Sequence, residues 1–126
     1  MALAANLGYP RIGPRRELKR TLEAYWAGTE PAEALLETAA RLRRENWEVQ
    51  RRAGLDLVPT GDFSLYDQVL DTAALVGAIP SRFGWSGGPV DLDTSFAMAR
   101  GREGVHARRT WRPRSGIQVI GSSERR

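Results

Sequence analysis

Apolar positions recur at helical spacing over two long stretches of this chain and lose that rhythm near its end. Leu18, Leu22, Tyr25 and Trp26 share one face of a helix. Pro14 suits the first position of that helix, and Gly28 suits its end. Thr29 is placed to cap a second helix with Pro31 just inside it. Ala32, Leu35, Leu36, Ala39, Leu42, Val49 and Ala53 form its apolar stripe up to Gly54, and its other face is heavily charged. A third helix is expected over 66–78, with Leu65, Val69, Ala73 and Val76 on one side and Pro80 closing it.

Two short segments between these helices read as strands. Asn6-Leu7-Gly8-Tyr9-Pro10 resembles a strand end entering a Gly/Pro loop, because Pro10 and Gly13-Pro14 stop any ladder there. Leu55-Asp56-Leu57-Val58-Pro59-Thr60, bounded by Gly54 and Gly61, fits a buried strand reaching its carboxyl end. The predicted order is strand, two helices, strand, helix. Residues 81–89 form a glycine-rich loop, and 94–100 supply one or two further helical turns. After Gly101 the periodicity is lost, and no internal repeat is found.

Composition narrows the possibilities. A chain of 126 residues supports one domain with a modest core, and 41% hydrophobic with 27% charged residues is ordinary for a folded soluble protein. No run of eighteen apolar residues occurs, and the first six residues lack the form of a secretory signal, so a cytoplasmic location and no membrane partner are expected. Cysteine is absent and His106 is the single histidine, which leaves no set of residues for a Cys/His zinc site in this chain. The net charge of +4 is unevenly spread. Residues 1–100 are nearly balanced, with 12 Arg/Lys against 13 Asp/Glu, whereas 101–126 hold 7 against 2. The basicity therefore belongs to the tail.

Arg15, Arg16, Lys19 and Arg20 crowd the predicted start of the first helix, the end where the macrodipole favours acids. Two readings stand. The cations and the helix-start N–H groups form a cradle for carboxylates or phosphates, or they form a solvated basic face with Glu17 and Glu23 as partial partners. Asp62 lies just past the second predicted strand, where α/β folds keep functional carboxylates; an Asx-turn or cap role competes with that. Asp91-x-Asp93 has metal-pair spacing but no supporting ligands, so a solvated loop is the simpler reading. Trp26 and Trp47 are read as packing residues, and His106 as an exposed, idle imidazole. The tail segment Arg108-Arg109-Thr110-Trp111-Arg112-Pro113-Arg114 has the composition of an arginine-rich nucleic-acid binder. A basic-tailed nucleic-acid or protein-binding module is accordingly the alternative function.

Several motifs lie in register with one known family. Asn6-Leu7-Gly8-Tyr9-Pro10-Arg11-Ile12-Gly13 followed by Arg15-Arg16-Glu17-Leu18-Lys19 closely resembles the amino terminus of cobalamin-independent methionine synthases. Tyr25-Trp26-Ala27-Gly28, the second helix through Trp47, Ala53-Gly54-Leu55-Asp56-Leu57-Val58-Pro59, Gly61-Asp62-Phe63-Ser64-Leu65-Tyr66-Asp67 and Asp91-Leu92-Asp93-Thr94 continue the resemblance to about residue 101.

The resemblance implies an α/β fold, the first β/α units of a TIM-type (β/α)₈ barrel, left incomplete and followed by an irregular tail. It implies methyl transfer from 5-methyltetrahydropteroyl-polyglutamate to homocysteine, with zinc held by Cys and His ligands that lie elsewhere in the full-length family. It also implies that Arg16, Glu17, Leu18 and Lys19 match the folate-contacting segment; the polyglutamate tail would then supply the anions that the basic helix start calls for. Residues 1–101 are expected to be the opening of the barrel domain, inactive alone, with the remainder of the enzyme as a candidate partner and no nucleic acid involved. Residues 102–126 are expected to be a non-homologous basic tail. A one-base frameshift after about Val105 would account for it, because the shifted frame permits a Thr-Lys-Trp continuation like the family's.

Overall fold

The computed structural model describes residues 2–101, which comprise four α-helices and a three-residue 3₁₀ turn. Helix α1 runs Glu17–Ala27, α2 Ala32–Arg52, α3 Gln68–Leu75 and α4 Leu92–Arg100, with the 3₁₀ turn at Ser81–Phe83. The chain divides into two compact units at the Leu65/Tyr66 boundary.

In the first unit, α1 and α2 pack against one another through a short connection that turns the chain back. The turn is sequence-encoded at Gly28, whose φ of 73° is the left-handed conformation that costs glycine least. Its N–H donates to the Tyr25 carbonyl and the Thr29 N–H to the Ala24 carbonyl, which satisfies carbonyls that a helix end would otherwise leave bare. Thr29 is therefore spent on ending α1, its hydroxyl also donating to Ala24 O. The residue preceding α2 is Pro31, which makes no side-chain cap. Leu18, Leu22, Leu35, Ala39 and Leu42 form the seam, each 4% exposed or less. Each such leucine contributes roughly 1.5–3 kcal/mol through burial.

The buried stripe of α2 departs from the expected one in its second half. Val49 is 44% exposed and Ala53 is exposed as well. Spacing from Leu35, Ala39 and Leu42 carries the inward face instead to Asn46 and to Gln50, which is 2% exposed. Asn46 is polar where that face meets backbone, its Nδ2 donating to the Pro10 carbonyl at 3.2 Å, while Gln50 Nε2 donates to the Asn46 carbonyl of its own helix at 3.1 Å.

The second unit is slighter. Asp67 caps α3, its Oδ1 accepting from Val69 N at 2.8 Å and Leu70 N at 3.1 Å, yet no residue of that helix is buried. Asp91 caps α4, accepting from Thr94 N at 2.6 Å. Val90, Leu92 and Phe96 are the buried apolar side chains among the described residues of this unit.

The expectation of an α/β fold built from the first units of a TIM-type barrel is overturned. No strand occurs among the described residues; an isolated parallel bridge joins Leu57 of the second candidate strand to Ala5, just ahead of the first, and no ladder extends from it. The reason lies in how the backbone donors are spent. Asp56 N and Leu57 N converge on one acceptor, the Ala4 carbonyl, at 2.9 and 3.2 Å, where a ladder would distribute them over successive residues. The neighbouring donors go to side chains, Ala4 N to Asp56 Oδ2 and Tyr9 N to Asp62 Oδ2, each at 2.8 Å. Pro10 and Pro59 have no N–H to extend the pairing.

Candidate functional site

The cationic residues singled out by the sequence gather at the start of α1, in a conformation set by Gly13 and Glu17. Helix α1 begins at Glu17, not at Pro14. Residues 13–16 form a turn closed by Arg16 N donating to the Gly13 carbonyl at 3.0 Å, and Leu18 N donates back to the Ile12 carbonyl at 3.1 Å. Arg16 occupies the left-handed region, φ 62° and ψ 35°, as the one non-glycine residue with positive φ among the described residues. An L-residue pays roughly 1–2 kcal/mol for that geometry.

Glu17 compensates the turn. Its carboxylate folds back so that Oε2 accepts from Arg15 N at 2.9 Å and Oε1 pairs with Arg15 Nε at 3.2 Å. A hydrogen bond from its own backbone N–H, partly opposed by desolvation and reinforced by the Arg15 contacts, holds the carboxyl below its ordinary pKa. Gly13 sits at φ 85°, where any side chain is strained, and a Cβ there would run into Glu17 Oε2 and come within 3.0 Å of Leu42 Cδ2, so a side chain at this position must displace the carboxylate.

The four residues matched to the folate-contacting segment therefore sit in unlike surroundings. Arg16 and Lys19 are exposed, Glu17 is mostly covered, and Leu18 is wholly buried in the α1–α2 seam. The Arg16 guanidinium has no hydrogen bond or ion pair among the described residues, and the same holds for exposed Arg20. Lys19 Nζ lies 3.5 Å from Glu23 Oε1, an exposed pair with the lysine on the less favourable, amino-terminal side. Such a pair contributes little and leaves the ammonium free to exchange partners. The cradle differs from the expected one in its donors. The Leu18 N–H is taken by Ile12 and the Glu17 N–H by its own carboxylate, so side chains present the positive charge.

The other candidates resolve into structural roles. Asp62 fastens the amino-terminal segment through Tyr9 N, and Asp91 caps α4; Asp93 lies in that helix's first turn. Among the described residues no group of three His, Cys, Asp or Glu side chains could hold a metal ion. Trp26 and Trp47 are half-buried on α1 and α2. His106 and the arginines of 108–114 lie outside the described residues.

Sequence reasoning missed Arg11 and Arg43. Arg11 Nη1 donates to the carbonyls of Leu65 at 2.9 Å and Ser64 at 3.3 Å, more than fifty residues away. The Arg43 guanidinium stands 5.5 Å from the centroid of Phe63 and 6.0 Å from that of Trp47. Burial lowers its pKa from the ordinary value, though it stays cationic at neutral pH. No local motif announces either contact, because both depend on segments distant in sequence.

The first unit is a helical pair with exposed cationic side chains at the head of α1, and comparison with known proteins supplies the family. The family described as "Cobalamin-independent synthase, N-terminal domain" matches residues 3–112, and the chain belongs to it. A 5-methyltetrahydropteroyltriglutamate–homocysteine methyltransferase from Caulobacter vibrioides is 60% identical over 112 residues, covering 89% of this chain and 14% of that enzyme. Enzymes of the same name from Salinibacter ruber and Syntrophotalea carbinolica are 59% and 54% identical, over 80% and 81% of this chain and 13% and 14% of their own lengths. The chain thus spans about one seventh of the length of these relatives.

Proposed function

We propose that this chain is the amino-terminal part of a 5-methyltetrahydropteroyltriglutamate–homocysteine methyltransferase, a methionine synthase, and serves to hold the polyglutamate tail of the methyl donor. The reaction is transfer of a methyl group from the tetrahydropteroyl substrate to homocysteine, in methionine biosynthesis. Arg16, Glu17, Leu18 and Lys19 are the segment assigned to the tail. The observation that carries this reading is the exposed pair Arg16 and Lys19 at the head of α1, in a chain 60% identical to an enzyme whose name contains the triglutamate.

The chemistry available here is binding, not bond making. Glutamate carboxylates would accept charge-assisted hydrogen bonds from the Arg16 fork and from Lys19, whose pairing with Glu23 is weak enough to be displaced. Both contacts are solvent-exposed, so affinity should be modest and should fall with added salt. Zinc would supply activation of the homocysteine thiol in the whole enzyme. The residues of this chain do not fit that ion: there is no cysteine, and the described residues contain no cluster of three metal-binding groups. No step is routed through it here, and catalysis falls to the remainder of the enzyme, the candidate partner of this chain. No helix among the described residues is long and apolar enough to cross a membrane.

The test is titration of the 126-residue chain with a γ-linked triglutamate peptide, followed by nuclear magnetic resonance. Shifts confined to the α1 start, weakened roughly tenfold by Arg16→Ala, are expected; tenfold is about 1.4 kcal/mol, within the range of one hydrogen bond to a charged group. Binding that ignores Arg16→Ala and Lys19→Ala would remove the assignment.

A further inference from the structure

Besides the buried Leu18, Glu17 of the assigned segment is poorly placed to meet the anion. The Glu17 side chain is 11% exposed, whereas that of Arg15, its partner, is 81% exposed. Its two oxygens are directed at Arg15 N and Arg15 Nε. It also fills the space that a side chain on Gly13 would take. Between these contacts lies Arg16, held at positive φ with its N–H on the Gly13 carbonyl. Residues 13–17 thus form a tight turn tied at two points: Gly13 O to Arg16 N, and Glu17 Oε2 to Arg15 N.

Taking the polyglutamate assignment above as its basis, we propose that Glu17 is a positioning residue. Its carboxylate ties down Arg15 so that the turn keeps Arg16 in its left-handed conformation and both Arg16 and Lys19 face solvent, and it makes no contact with the bound tail. A carboxylate beside a polyanion site would, by charge alone, weaken binding; removing it would then strengthen binding. The positioning role demands the opposite sign. Loss of the tie lets the turn relax to conformations that an arginine prefers, and the two cations lose their shared orientation.

The experiment measures affinity of the full 126-residue chain for γ-linked triglutamate, with helix content followed by far-ultraviolet circular dichroism. Glu17→Ala is expected to weaken binding about tenfold with helix content unchanged. Glu17→Gln, which keeps one acceptor oxygen for Arg15 N–H, should recover part of that loss and weaken binding about threefold. Gly13→Ala leaves every charge in place and displaces the carboxylate, so it should weaken binding as Glu17→Ala does. Arg16→Ala and Lys19→Ala report on the site itself. If those two weaken binding while Glu17→Ala and Glu17→Gln strengthen it, Glu17 acts through charge and the positioning role is overturned alone. Equal weakening in all Glu17 and Gly13 variants together with loss of helix signal also overturns it, since the residue is then needed only for folding. If Arg16→Ala and Lys19→Ala have no effect, the site assignment fails and the positioning role falls with it.

Discussion

The two units of this chain use similar local signals and reach different degrees of order. Both contain capped helices with apolar residues at helical spacing, yet α1 and α2 bury a leucine seam while α3 buries nothing. Val69, Leu75 and Val76 of the second unit are 76%, 47% and 62% exposed. Length explains much of this. Helix α2 offers 21 residues and several turns of inward face, whereas α3 offers 8, too few to be stable on propensity alone. The first unit adds long-range ties, from Arg11, Asn46, Asp56 and Asp62, to backbone groups far along the chain. The lesson is that a hydrophobic period specifies a helix, and only a facing surface makes it contribute stability.

Core truncation should test this contrast most severely. Phe96→Ala removes the largest of the few fully buried side chains in the second unit, an expected loss of about 3–5 kcal/mol. Hydrogen exchange should then show α4 unprotected. Leu35→Ala, at about 2–5 kcal/mol, should lower protection across α1 and α2 without abolishing it, because Leu18, Leu22 and Leu42 remain. Complete loss of protection in both helices would break the contrast.

Capping should give the next largest effect. Asp67→Ala is expected to cost about 1 kcal/mol, and in a helix with no buried residue that should melt most of α3. Circular dichroism should register the loss. Asp91→Ala removes a comparable cap, but buried Leu92 and Phe96 should hold α4 against fraying. Equal helix loss in the two variants would mean that burial does not set the difference.

The smallest effect concerns acid. Glu17 has its folded pKa lowered from an ordinary 4.5, so the unfolded chain takes up the proton first. The stability it contributes is complete above the ordinary value and is lost as pH falls through the lower folded value. Urea midpoints at neutral and acid pH should therefore differ less in Glu17→Gln than in the parent. An unchanged difference would show that the Arg15 contacts contribute no stability.

Helix ends were more legible in the sequence than helix beginnings. Gly28 and Gly54 stop α1 and α2 where periodicity places the stops, because a left-handed residue is needed there and glycine supplies it. The starts slipped: Pro14, Thr29 and Tyr66 were each read as helix openings, and the helices begin at Glu17, Ala32 and Gln68. The residues between are engaged in turns or caps: Arg16 N bonds the Gly13 carbonyl, Thr29 bonds back to Ala24, and Asp67 caps α3 from outside it. The strands were misread for a deeper reason. A strand is a property of a pair, and the run at 55–60 meets the amino-terminal segment at one isolated bridge, to Ala5, ahead of the 6–10 run. At the candidate site the spacing places the cations near the start of α1, but does not show the unlike surroundings of the residues among them. The buried Leu18, the folded-back Glu17 and the left-handed Arg16 follow from Gly13, Ile12 and the α2 seam, which spacing alone does not reveal.

The paired aspartate ties carry a consequence for the order of assembly. Asp56 and Asp62 grip Ala4 and Tyr9 across separations of 52 and 53 residues, and the only backbone bridge nearby joins Ala5 to Leu57. Closing so large a loop is entropically costly until the intervening α1–α2 hairpin has shortened it, since that hairpin needs only local contacts. Residues 4–9 are thus among the last to dock. Until they do, the edge formed by 55–58 keeps its backbone donors open to any other extended segment, which makes the slow arrival of residues 4–9 the interval in which this chain is most exposed to mispairing.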